Sequence, residues 1–157
     1  MDKATRILIV DDDENIRKVL EAILKDEGYT VEMADTAKKA IEKTKNNFYN
    51  LALIDIRLPD MEGTKLLEKI KDTVPRMRKI IITGYPTLQN AIEAVNKKAD
   101  AYIMKPFDVE KILATIKEQL QKQEEEKKYS EAKIAEFIET RVRELENTEA
   151  PTQKNKP

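Results

Sequence analysis

Six residues of this 157-residue chain carry the groups best suited to chemistry, and they share a position: each stands just after a short apolar run. Asp11 and Asp12 follow Ile7-Leu8-Ile9-Val10 and are joined by Asp13. Asp55 follows Leu51-Ala52-Leu53-Ile54, Thr83 follows Ile80-Ile81-Ile82, and Lys105 follows Ala101-Tyr102-Ile103-Met104. The chain has no cysteine and no histidine. That removes thiolate nucleophiles, imidazole bases, Ser-His-Asp triads and zinc–thiolate or His-ligated metals. Its three glycines, Gly28, Gly63 and Gly84, are too scattered for a phosphate-cradling G-x-G-x-x-G or Walker loop. Any chemistry therefore runs on carboxylates, a hydroxyl, a lysine and a hard cation. Carboxylates brought close together repel unless a cation joins them, and an all-oxygen donor set points to Mg²⁺ or Mn²⁺.

The apolar runs alternate with helical spacing, and that alternation must position the six residues. Strands are expected at 6–10, 30–34, 51–54, 79–82 and 101–104. Between them, Ile16, Val19, Leu20, Ile23 and Leu24 recur on one helical stripe closed by Gly28. Thr36 is an N-cap candidate for a helix bearing Ala37, Ala40, Ile41 and Thr44. Leu66, Leu67 and Ile70 mark the third helix. Pro86 opens the fourth, with Leu88, Ala91, Ile92 and Val95. Asp108 caps the fifth, with Val109, Ile112, Leu113, Ile116 and Leu120. Five β-α units imply an α/β fold with a parallel doubly wound sheet covered on both faces. Ligands of such sheets bind beyond the carboxyl ends of the strands, which is where the six residues stand. Asp13 or Glu14 is expected to serve the first helix as a cap.

With these motifs in place, the chain resembles a response-regulator receiver domain of the CheY-like superfamily over about residues 5–120. The resemblance rests on Ile7-Leu8-Ile9-Val10-Asp11-Asp12, Leu53-Ile54-Asp55-Ile56-Arg57-Leu58-Pro59-Asp60-Met61-Glu62-Gly63, Ile82-Thr83-Gly84-Tyr85-Pro86 and Tyr102-Ile103-Met104-Lys105-Pro106-Phe107. It implies a flavodoxin-like strand order of 2-1-3-4-5. It also implies a two-component phosphorelay role, with Asp55 as acceptor of a phosphoryl group from a sensor histidine kinase or phosphotransfer protein. Asp12, Asp55 and the backbone carbonyl of Arg57 are then the Mg²⁺ ligands, and Asp11 contacts metal-bound water. Lys105, before a cis bond to Pro106, sets an ammonium against a phosphoryl oxygen. Thr83 supplies the hydroxyl that detects the phosphate, and Tyr102 becomes a rotameric switch. Arg57 and Tyr85 occupy positions where the family varies and tunes dephosphorylation. Lys97-Lys98-Ala99-Asp100 lacks a glycine that many relatives carry before the fifth strand. The output face is expected on the fourth helix, fifth strand and fifth helix, controlling an unknown downstream protein or a homodimer. On this reading the chain is a signalling domain, with no enzymatic activity beyond self-catalysed phosphorylation and dephosphorylation.

Two rivals compete with it. The run into Asp11-Asp12-Asp13 also fits a haloacid-dehalogenase-like phosphohydrolase, with Asp11 as nucleophile and Asp13 as general acid. That family needs a further acidic pair after a late strand, where this chain has Met104-Lys105-Pro106-Phe107, and it leaves Asp55 without a role. A non-phosphorylated interaction module with a dead acidic pocket is the third reading, opposed by the full set of site residues.

Charge and length set the remaining expectations. Charged residues reach 38% but leave a net charge of −1, so neither nucleic acid nor an anionic membrane has an electrostatic claim on the chain. No run approaches a membrane span, and Met1–Arg6 lacks signal-peptide features, which implies a cytoplasmic protein. The receiver is expected over 1–120, a helical extension over 121–147 and a disordered tail over 148–157. Gln121–Lys128 reads as a solvated spacer. Ile134, Phe137, Ile138, Val142 and Leu145 form an amphipathic stripe that wants a partner, a homodimer among the options. The length leaves no room for a DNA-binding or enzymatic output domain: the chain is either a stand-alone receiver or a piece of a longer regulator.

Overall fold

The structure, a computed structural model, describes residues 4–84 and 86–154, with side chains considered through 148. Tyr85, one of the residues named above, lies outside the described residues, as do 155–157. The elements follow the expected alternation: β1 (Arg6–Val10), α1 (Glu14–Asp26), β2 (Thr30–Ala34), α2 (Ala37–Asn46), β3 (Leu51–Asp55), α3 (Gly63–Lys69), β4 (Arg78–Thr83), α4 (Leu88–Asn96), β5 (Ala101–Met104) and α5 (Val109–Lys154). The strands pair in parallel in the order β2-β1-β3-β4-β5.

Alternation along buried strands sorts the core into two layers. Leu8, Val10, Ala52, Ile54 and Ile81 pack with Ala37, Ala40, Leu66, Leu67 and Ala94 on the α2–α3–α4 side. Ile7, Ile9, Leu51, Leu53, Ile80, Ile82 and Ile103 pack with Leu20, Leu24, Ile112 and Ile116 on the α1–α5 side. Because both faces are covered, β1, β3 and β4 read as continuous apolar runs, not as alternating ones.

The helix ends show which local signals decide. Asp13 caps α1 by accepting from the N–H groups of Asn15 and Ile16, and Thr36 caps α2 by accepting from Lys39. At the end of α1, Gly28 takes φ +92° while Gly28 N–H bonds Lys25 O and Tyr29 N–H bonds Leu24 O. The end of α4 has the same hydrogen bonds, Lys98 to Val95 O and Ala99 to Ala94 O, but Lys98 occupies the left-handed position at φ 67°. The missing glycine is thus a conformational cost carried by a lysine. Pro86 is not part of α4: Thr87 caps the helix and Leu88 begins it, since the Thr87 side chain can accept from Asn90 N–H.

Residues through Gln123 form one compact unit and those from Glu124 a second. The solvated-spacer expectation for 121–128 fails at Gln123, which is 4% exposed. Its Nε2 donates to Asn50 O and Arg76 O at 2.8 Å each, and its Oε1 accepts from Asn50 Nδ2 at 3.2 Å. These are the carbonyls just before β3 and β4, and the Asn50 carbonyl accepts from Arg78 N–H at 3.0 Å as well. The second unit is helical through Lys154, whereas the composition predicts a disordered tail from 148. The helix former-rich run Arg143-Glu144-Leu145-Glu146 carries the helical phase forward, and Thr148 Oγ1 donates to Glu144 O in that phase. Among the described residues, no helix is long and apolar enough to cross a membrane.

Candidate functional site

The carboxyl ends of β1, β3, β4 and β5 converge on a cleft of about 480 Å³ lined by Asp11, Asp12, Asp13, Ile16, Asp55, Arg57, Gly84 and Lys105. Asp11 leaves β1 buried, its N–H held by Ala34 O and its carbonyl accepting from Arg17 Nη1 at 2.7 Å. Its Oδ1 accepts from Asp13 N–H at 2.9 Å, which aims Oδ2 across the cleft. Asp12 is exposed beside it. Asp55, the last residue of β3, is 7% exposed. The loop after it is packed tightly, with Gly63 N–H on Ile56 O. A Cβ on Gly63 would stand 2.2 Å from the Asp55 carbonyl oxygen, so only glycine fits there.

One carboxylate oxygen from each of Asp11, Asp12 and Asp55 falls within 4.8 Å of the others, the one cluster of metal-ligating type among the described residues. Lys105 Nζ enters from β5, 2.9 Å from Asp11 Oδ2 and 3.6 Å from Asp55 Oδ2. Its position is set by Lys105 N–H bonding Thr83 O at 2.7 Å, and the Lys105–Pro106 peptide is cis. Burial opposes the charge on Lys105, yet the Asp11 and Asp55 carboxylates hold it above the ordinary lysine range. Burial first, then the Asp11 charge, push the Asp55 carboxyl up to about 6, against the pull of Lys105 and the Arg57 N–H; Asp12 adds to the rise. One ammonium thus leaves the trio short of positive charge. Oxygen-only donors, close spacing and that uncompensated charge fit a hard divalent cation such as Mg²⁺ or Mn²⁺.

Thr83 is fully buried at the end of β4, and Tyr102 is half-buried on β5 against the α2–α3–α4 core layer, its hydroxyl enclosed without a hydrogen-bond partner. All seven residues singled out above therefore lie at the carboxyl ends of neighbouring strands or one position into β5. Asp13 also lines the cleft, but its carboxylate is engaged by the α1 N-terminus, which takes away the general acid that the phosphohydrolase reading requires.

Two polar residues of structural weight escaped the sequence reading. Asp60, in the loop after Asp55, accepts from Ala37 and Lys38 N–H at 2.9 Å each, capping α2 from a distant loop. Asp100 accepts from Arg76 at 3.0 and 2.7 Å, from Arg78 at 3.2 Å and from Lys79 N–H at 2.8 Å, clamping β4 to β5 at the end away from the cleft. Neither has a periodic signature, because the partners are more than twenty positions away in sequence.

The doubly wound sheet with acids at its switch point defines a class, and comparison with known proteins agrees with it. Residues 7–117 match the family model described as the response regulator receiver domain. The transcriptional regulatory protein ZraR of Klebsiella oxytoca is 37% identical over 114 residues, covering 73% of this chain and 26% of that protein. Among solved structures, a CheY-like response regulator receiver domain protein from Methanospirillum hungatei JF-1 is 52% identical, with a TM-score of 0.76, covering 79% of this chain and 99% of the other. The beryllofluoride-activated NtrC4 receiver domain dimer is 37% identical, with a TM-score of 0.70, covering 75% and 98%. The chain belongs to the response-regulator receiver family, a class of signalling domain, and spans about a quarter of the length of ZraR.

Proposed function

We propose that Asp55 is the phosphoacceptor of this receiver, charged by a phosphohistidine on a sensor histidine kinase or phosphotransfer protein. The observation that carries the reading is the meeting of one oxygen from each of three carboxylates within 4.8 Å, with Lys105 bridging two of them, Asp11 and Asp55. An Asp55 carboxylate oxygen attacks phosphorus; the Oδ–P bond forms as the histidine N–P bond breaks, and the electron pair stays on the imidazole. Asp12, Asp55 and the Arg57 carbonyl would hold Mg²⁺ or Mn²⁺, with Asp11 next to them in the cluster. When bound, the cation offsets repulsion between the attacking carboxylate and the phosphoryl oxygens. Lys105 stands beside both buried acids, where its ammonium meets a phosphoryl oxygen on Asp55.

Thr83 turns its hydroxyl to the new phosphoryl oxygens, and the space it vacates admits Tyr102. That exchange reshapes the α4–β5–α5 face, where Leu88, Ile92, Val95 and Met104 are exposed. A downstream protein or a second receiver reads this face. Intact-mass spectrometry with a small acyl phosphate and Mg²⁺ tests the proposal: one phosphoryl group is added to the wild type and none to Asp55→Asn. Labelling that survives in Asp55→Asn and disappears in Asp11→Asn overturns it in favour of the phosphohydrolase chemistry.

A further inference from the structure

The second unit presents an apolar row that its own helix cannot cover. Ile134, Ile138 and Val142 succeed one another at four-residue steps, with Phe137 and Leu145 beside them on the same face. All five are exposed, from 47% at Val142 to 67% at Phe137. An amphipathic helix of this length is marginal alone in water and gains stability by covering its stripe.

Charge along the row selects the occupant. Lys127 and Glu131 precede the apolar centre on this face and Arg141 interrupts it. If two copies lay parallel and in register, Lys127, Glu131 and Arg141 would each oppose its own duplicate, three like-charge contacts that disfavour the arrangement. If the second copy runs antiparallel about Ile138, the row matches itself: Ile134 meets Val142, and Ile138 meets Ile138. Glu131 then stands level with the partner's Leu145, four residues from the partner's Arg141, which is about 6 Å along the helix axis and within reach of an arginine. The apolar row is unchanged by this reversal, whereas the like-charge contacts are removed by it and Arg141, which pairs with Glu144 of its own helix at 3.1 Å, comes near a second carboxylate.

We propose that the helix around Ile138 is a self-association site, and that its occupant is a second copy of the same helix in antiparallel orientation. The contact is short. Rows of four-residue spacing interlock at a crossing angle, in contrast to the sustained 3.5-residue repeat of a long supercoil. Five apolar side chains per copy are well below the roughly 20–30 residues a side of a standard interface. Association is therefore reversible and depends on concentration.

This inference does not rest on the phosphoacceptor assignment, and its test needs neither phosphoryl donor nor divalent cation. Sedimentation equilibrium of the full chain, from micromolar to hundreds of micromolar, should show a monomer–dimer equilibrium. Ile138→Glu, at an exposed position that leaves the receiver core intact, should be monomeric throughout. Glu131→Arg should weaken association about tenfold by setting like charges together, and adding Arg141→Glu to it should restore the wild-type constant. Orientation is read by cross-linking, which the cysteine-free sequence makes clean. A mixture of Ile134→Cys and Val142→Cys chains should give mostly the mixed disulfide. A monomeric wild type, an Ile138→Glu chain that still dimerises, a double charge swap without recovery, or a predominance of like-with-like disulfides would each overturn the proposal.

Discussion

Replacing Asp55 by asparagine should stabilise the cation-free protein, an unusual outcome for a buried polar residue at the centre of a site. Asp55 has its carboxyl pushed up to about 6 from an ordinary 3.8, chiefly by burial and by the Asp11 charge. The folded state therefore holds this proton more tightly than the unfolded chain does. The associated stability is fully present below pH 3.8 and is lost as pH rises through about 6. At about 1.36 kcal/mol per pH unit, ionised Asp55 costs the folded state about 3 kcal/mol at pH 7.5 and about 1 kcal/mol at pH 4.5. Urea unfolding of wild type and Asp55→Asn in a chelator, at both pH values, measures the difference. Comparing the two proteins cancels the titrating acids remote from the cleft. The expected gain for Asp55→Asn is about 3 kcal/mol at pH 7.5, shrinking about threefold at pH 4.5. Millimolar Mg²⁺ should stabilise the wild type and close most of the gap. An Asp55→Asn protein no more stable than wild type at pH 7.5, or a gain independent of pH, would refute the argument that the cleft stores charge repulsion.

Three further outcomes are expected elsewhere in the fold. Asp100→Ala should cost about 3–5 kcal/mol in urea unfolding, because it removes the buried carboxylate shared by Arg76, Arg78 and the Lys79 N–H. The Asp100 carboxyl is held below the usual carboxylate range by these partners despite its burial, so its contribution is present above about pH 4 and fades as pH falls further. Gln123→Ala removes a buried donor shared by the Asn50 and Arg76 carbonyls, the first of which keeps Arg78 N–H, and should cost about 1–2 kcal/mol, with faster amide exchange in α5 near that position. Lys98→Gly should raise stability by about 1 kcal/mol by relieving the left-handed residue at the end of α4, measured by thermal unfolding.

How much of this was legible beforehand depended on the range of the interaction. Asp13, Thr36 and Asp108 cap helices through N–H groups two or three positions away, so their roles could be read from the adjoining residues. The site itself is spread over 94 positions between Asp11 and Lys105, yet it too was legible. A parallel sheet brings every strand's carboxyl end to one edge, so a residue type at the end of an apolar run already has an address. Asp60, Asp100 and Gln123 had none. Each pairs with backbone or side chains of a distant loop, and a single Asp or Gln among charged neighbours looks like any solvated residue. Gln123 was hidden further by its setting in Gln121-Lys122-Gln123-Glu124, where no apolar residue marks a buried face. Pro86 misled in the opposite sense: a proline suits the first turn of a helix, but the adjacent Thr87 offered a better cap and moved the start beyond it.

The polar groups missed and the polar groups found sit at opposite ends of the same strands, and the difference in their chemistry is functional. At the amino ends, Asn50, Gln123, Arg76 and Asp100 are joined by hydrogen bonds of complementary type. At the carboxyl ends, Lys105 pairs with Asp11 and Asp55 while Asp12 adds a third carboxylate beside them, Thr83 is buried, and the Tyr102 hydroxyl is enclosed without a partner. A cation or a phosphoryl group added there changes the local balance by whole charges, whereas the far edge is indifferent to it. On the proposed function, an event at Asp55 acts first on this edge, where Thr83 ends β4 and Lys105 follows β5.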